Sequence, residues 1–107
     1  MSRPPRTIGD VADLVRSKNA GPFWLTLDIF CNTDEDYECV AHPAVITAER
    51  IAGLYRVAAD TVRIFRLPAL RVIKISFPRP TVQGGIHDRD MHGGQQHVPL
   101  QQLLVNP

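Results

Sequence analysis

Cysteine, tryptophan and long apolar runs are all scarce in this chain of 107 residues, and it has almost no excess of either charge. Its two cysteines, Cys31 and Cys39, match no zinc-ligand spacing and lack partner pairs. They exclude a disulfide scaffold and are read as reduced thiols of a cytoplasmic protein, with a Cys31–Cys39 bridge as the lesser alternative. No stretch approaches the ~18 consecutive apolar residues of a membrane-spanning helix, so no membrane partner is expected. Met1 to Arg6 is proline-rich without an apolar run, which fits a flexible N-terminus and not a signal peptide. Twelve Lys and Arg against 11 Asp and Glu leave a net charge of +1, too little to point to a nucleic-acid partner. No P-loop, dinucleotide fingerprint or Ser-His-Asp order is present, and no cofactor is expected.

What is present is an ordinary globular composition, 44% apolar and 21% charged. At this length the chain makes one domain, 1–107, able to bury roughly two thirds of its unfolded surface. Thr7 with Asp10 three residues on resembles a capping signal, and Ile8, Val11, Leu14 and Val15 follow at helical spacing, predicting a helix from about Ile8 to Ser17. A turn over Lys18–Pro22 should then lead into the strongest strand signal, Phe23 to Phe30. There Phe23, Leu25, Leu27 and Ile29 form the core face; Trp24, Thr26, Asp28 and Phe30 form a mixed face, expected to be half-solvated or else to lie under something polar. Asn32 or Thr33 caps a short acidic helix that Pro43 ends. Thr47 caps another, with Ile51, Leu54 and Tyr55 inward and Arg50 and Arg56 outside. Val62–Arg66 and Arg71–Phe77 read as an antiparallel hairpin, stopped by Pro78-Arg79-Pro80. From 79 to 107 an extended polar tail is expected, with Leu100, Leu103 and Leu104 at helical spacing docking its end. The fold class is therefore α+β: a mostly antiparallel sheet of three or four strands with helices on one face.

Charge is unevenly spread, for no Lys or Arg occurs from Asn19 to Glu49 and no Asp or Glu from Thr61 to His87. Arg63, Arg66, Arg71, Lys74 and Arg79 gather on or beside the hairpin. They read either as edge-strand protection or as a docking face for an acidic partner or a carboxylate or phosphate. In the first turn, Lys18, Asn19 and backbone N–H groups could hold a small anion, although turn chemistry alone accounts for Asn19 and Gly21.

The tail run His87-Asp88-Arg89-Asp90-Met91-His92-Gly93-Gly94-Gln95-Gln96-His97 holds three of the four histidines. His and Asp can ligate a divalent metal, but a five-residue spacing on a glycine-rich segment is no helical zinc pair, and no metal is expected. His97, paired with Asp90, could instead act as a general acid or base, with Gln95 and Gln96 orienting a carbonyl or carboxylate.

The stretches Arg16-Ser17-Lys18-Asn19-Ala20-Gly21-Pro22-Phe23, Leu25-Thr26-Leu27-Asp28-Ile29 and Asp90-x-x-Gly93-x-Gln95-Gln96-His97-x-Pro99-Leu100 resemble a small bacterial domain-of-unknown-function family. Its members are encoded beside acyclic terpene utilisation (AtuA-like) proteins. The likeness covers nearly the whole chain. It implies an accessory subunit that associates with a larger AtuA-like catabolic enzyme, lyase- or hydratase-like, and lends loop residues to a shared site for a carboxylic acid or acyl-CoA. Some AtuA-like proteins carry a small C-terminal domain, described as ferredoxin-like, that opens with an Arg-Ser-Gly-Asp-Lys-Gly turn similar to Arg16–Gly21, which implies a ferredoxin-like or related fold here. The resemblance carries over Lys18, Asn19, Thr26, Asp90, Gln95, Gln96 and His97, and the hairpin adds Arg79 as a binding candidate. A stand-alone lyase or hydratase using His97 and Asp90, and a binding module for an anionic metabolite, stay open beside it, as does self-association.

Overall fold

A computed structural model describes residues 6–21, 23–79 and 97–105. The elements run α1 (Ile8–Val11), β1 (Leu14–Asn19), β2 (Trp24–Phe30), α2 (Asp34–Ala41), α3 (Ala48–Tyr55), β3 (Arg63–Leu67), β4 (Val72–Pro78) and α4 (Val98–Gln101). Four strands form one sheet in the order β1-β2-β4-β3, every neighbouring pair antiparallel. Two hairpins thus lie side by side, joined through α2 and α3. This is the expected α+β class with a four-stranded antiparallel sheet.

The capping box at Thr7 and Asp10 forms, and the two Thr7 hydrogen bonds hold the Asp10 carboxyl below its usual range. The helix it starts ends at Val11, however, and the expected helix from Ile8 to Ser17 is corrected to one turn followed by a strand. Asp13 N–H donates to Phe30 O at 2.8 Å, and Leu14 to Asn19 then pair with Phe30 back to Leu25. Strand pairing takes Leu14 and Val15 away from the helix because each β1 residue then gains a ladder partner, whereas a short isolated helix is marginal. The turn begins only at Ala20, whose N–H donates to Trp24 O at 2.9 Å, and Gly21 sits at φ 81°, where a glycine is needed.

Thr33 and Thr47 cap α2 and α3 as expected, each hydroxyl accepting from the backbone N–H three residues on. Odd-numbered residues of β2 and β4, Leu25, Leu27, Ile29, Ile73, Ile75 and Phe77, pack with buried residues of all four helices in one core. Tyr55 of α3 lies on Phe77, ring centroids 4.8 Å apart, and burial pushes its phenol pKa up against an opposing Leu100 backbone hydrogen bond. The chain end docks through Leu100 and Val105, with Ile8 N–H donating to Leu103 O and Val105 N–H to Arg6 O.

Several arginines tie the elements together, and Arg50, expected outside, turns partly inward. Arg50 is half-buried, and its guanidinium donates to the carbonyls of Ala44, Val45 and Leu104, latching the loop before α3 to the chain end. Arg66 donates to Ala41 O at 2.9 Å and Ile46 O at 2.8 Å, satisfying a C-terminal carbonyl of α2. Arg71 pairs with Asp34 at 2.8 Å, Arg63 donates to Asp60 O, and Arg79 donates to Asn19. The basic hairpin therefore spends much of its charge tying strands to helices and loops.

Candidate functional site

In β1 the period of two places Val15, Ser17 and Asn19 on the helix-covered face and Leu14, Arg16 and Lys18 on the opposite one. Beyond Val15 that edge strand carries polar residues toward the helices, and the C-terminal chain comes to meet them. The hydroxyl of Ser17 accepts from the His97 backbone N–H at 3.1 Å and lies 3.4 Å from His97 Nδ1. At the end of β4, Arg79 N–H donates to Phe23 O at 2.7 Å, which holds this residue beside the β1–β2 turn, and its guanidinium donates to Asn19 Oδ1.

Ser17, Asn19, Arg79 and His97 thus gather at one corner: a hydroxyl, an amide, a guanidinium and an imidazole. Such a set can hold a carboxylate, with charge and planar donors from Arg79 and neutral donors beside it. The His97 tautomer decides what else it can do. A Ser17 hydroxyl donating to Nδ1 leaves the ring proton on Nε2, a donor; an Nδ1–H donating to Ser17 leaves Nε2 bare, a base.

Of the candidates singled out in the sequence, the structure brings Asn19, Arg79 and His97 together. Lys18 and Thr26 are direct cross-strand partners on the other face of the sheet. Lys18 and Asn19, expected side by side in a turn, therefore point to opposite faces. Asp90, Gln95 and Gln96 lie outside the described residues, as do His87 and His92. Ser17 escaped notice because its stretch reads as a helix end, and only strand periodicity aligns it with Asn19.

On the other face, Thr26 and Asp28 are nearly inaccessible, 9% and 1% exposed, so of the two expected alternatives half-solvation is set aside and Asp28 lies under polar groups. Asp28 Oδ2 lies 3.3 Å from Arg16 Nε and Oδ1 lies 3.6 Å from Lys74 Nζ, so cations from both neighbouring strands close over the carboxylate. The Arg16 guanidinium also sits 5.0 Å from the centroid of the Phe30 ring. Thr26 Oγ1 and Ser76 Oγ are 3.2 Å apart.

Two concavities lie elsewhere: one of about 560 Å³ lined by Asp34, Tyr37, Glu38 and Arg71, the other of about 460 Å³ lined by Arg50, Leu54 and the α4 segment. Both cysteines are free, and burial, reinforced by the Asp36 charge, pushes the Cys31 thiol up to about 11. Since the thiolate is the nucleophile, iodoacetamide at pH 8 is expected to alkylate half-buried Cys39 well before Cys31, as peptide mass mapping over time will read. Equal rates would contradict the buried placement of Cys31.

No curated protein and no solved structure matches the chain. The family profile described as Domain of unknown function (DUF4387) matches residues 8–104, a span containing every strand and helix above and all four residues of the corner, and the chain belongs to that family.

Proposed function

We propose that the chain is a small accessory subunit of a larger bacterial AtuA-like catabolic enzyme, contributing the Ser17, Asn19, Arg79 and His97 corner to a shared site for a carboxylic acid or acyl-CoA. The observation that carries this reading is the convergence of four polar side chains of complementary chemistry at one end of the sheet. Neither concavity noted above is lined by any of them. A corner of this kind becomes a site when a second surface closes it, because water exclusion strengthens each hydrogen bond to a bound anion. The resemblance of Arg16–Gly21 to a turn in the C-terminal domain of some AtuA-like proteins supports the same assignment. The cytoplasm is the proposed compartment, in keeping with two free thiols.

The test is to mix the purified chain with the purified AtuA-like protein encoded beside it and measure mass by light scattering on a sizing column. A stoichiometric complex is the expected result. Separate elution of the two proteins at every concentration tried would overturn it.

A second reading, a stand-alone lyase or hydratase, draws on the contact between His97 Nδ1 and Ser17 Oγ, which orients the imidazole. It requires turnover by the isolated chain that disappears in His97→Ala.

A further inference from the structure

The sheet has helices on one face, and the other face bears an organised pattern. We infer that this face is a docking surface for a larger protein partner whose own surface is acidic at its centre and apolar at its margins, and that the same contact closes over the corner at the β1–β2 turn. The inference rests on the subunit reading above.

Charge comes first. Register places Arg16, Lys18, Arg63 and Lys74 on the open face of the strands, and Asp28 is the lone carboxylate among them. Four cations against one anion is a marked local excess on a chain whose net charge is +1. Lys18 is exposed and makes no ion pair among the described residues. The side chains of Arg16 and Lys74 remain 56% and 45% exposed even while they flank Asp28. Buried Asp28 pairs with both cations, which lowers the entropy that their side chains lose on binding.

Apolar exposure is concentrated on the same face. Of the seven large hydrophobic residues exposed among those described, Leu14, Trp24 and Phe65 lie on it and Phe23 lies at its turn. Single exposed hydrophobics are ordinary, but a set bordering a cationic band, on a face that no described helix covers, is a surface that a complementary partner can recognise.

Phe23 and Trp24 also connect the two regions. Phe23 O accepts the Arg79 N–H, and Trp24 O accepts the N–H of Ala20, next to Asn19. The corner thus lies across the β1–β2 turn from Trp24, on the helix-covered side, and a protein seated on Trp24 meets it by wrapping that turn.

Nucleic acid fits less well. Trp24 and Phe65 are on different strands with the Thr26–Ser76 hydroxyl pair and the Asp28 carboxylate between them, whereas stacked bases need neighbouring rings and phosphates avoid a carboxylate. A second copy would have to offer its acidic α2, with Asp34, Glu35, Asp36 and Glu38, to this face. That contact is head-to-tail and does not close as a dimer.

The experiment measures affinity for the purified AtuA-like protein by calorimetry, across salt concentration, for the natural chain, Lys18→Glu/Phe65→Ser, and Leu70→Ser as an exposed control off the face. Both substituted face residues are exposed, and circular dichroism checks that the variants stay folded. The expected result is an affinity ~10- to 100-fold lower for the face variant, the magnitude of a lost hot spot with its charge reversed. Binding should weaken with salt, and the control should be unchanged. A complex formed with equal affinity by both variants overturns the docking assignment and leaves the subunit reading standing; absence of any complex overturns both. Tighter binding of an oligouridine probe, or concentration-dependent self-association abolished by the face variant, also overturns it by giving the face a different occupant.

Discussion

Carboxylate binding by the assembled complex is expected to fall about 10- to 100-fold when Arg79 is replaced by Met, the cost of one or two charge-assisted hydrogen bonds at about 1.5–3 kcal/mol. Methionine keeps much of the aliphatic stem and removes the charge and the planar fork. Arg79 is the guanidinium of the corner, held there by its backbone bond to Phe23 and its side-chain bond to Asn19. Calorimetric titration with a short-chain carboxylate gives the number. Arg79→Lys restores the charge without the fork and is expected to recover only part of the affinity. Because Arg79 also tethers Asn19, the melting temperature of each variant has to accompany its affinity. Unchanged carboxylate affinity in Arg79→Met, with the fold intact, would remove Arg79 from the site.

The largest loss of stability is expected at Phe77. Its side chain is fully buried, at the C-terminal end of the core face of β4 and against the Tyr55 ring. Truncation to Ala removes the ring and leaves a cavity that neighbouring strands cannot collapse to fill, at about 3–5 kcal/mol. For a domain whose whole stability is about 5–15 kcal/mol, this brings Phe77→Ala close to unfolding at room temperature. The urea midpoint should drop accordingly with little change in slope. Phe65→Ala, 51% exposed on the opposite face, is the contrasting case, expected within about 0.5 kcal/mol of the natural chain. Comparable losses at both positions would mean that the core does not lie on the helix-covered side alone.

Where the sequence reading succeeded, the reason was local. The alternation from Phe23 to Phe30 predicts β2, although Phe23, expected on its core face, lies before the strand and is exposed because no helix covers it there, and the Thr33 and Thr47 caps with Pro43 between them mark α2 and α3. The β3–β4 hairpin appears one residue later than expected at both ends of each strand, because cross-strand pairing and not local composition sets where a strand ends. Where it failed, partners distant in the chain decided. Leu14 and Val15 continue the helical spacing of Ile8 and Val11, and nothing local reveals that Phe30 and Ile29 are waiting to pair with them.

The candidate site was legible only in part, for the same reason. Asn19, Arg79 and His97 could each be singled out as polar residues in suggestive contexts. The corner joins Asn19 to Arg79, 60 residues apart, and Ser17 to His97, 80 residues apart, across sheet pairing and the docking of the C-terminal segment. Ser17 became visible only once β1 was a strand. Asp28 shows the converse, a charge that composition assigns to water and that Arg16 and Lys74 instead cover.

The sequence by itself determined the α+β class, the core face of β2 from Leu25 to Ile29 and the caps of α2 and α3, because each depends on periodicity or hydrogen bonds within a few residues. Only the tertiary structure decided that α1 is one turn, that Lys18 and Asn19 face opposite ways, and that Ser17 and Asn19 meet His97 and Arg79 at one corner. Those outcomes depend on which strands pair and in what register, and register is set by burial summed over the whole sheet.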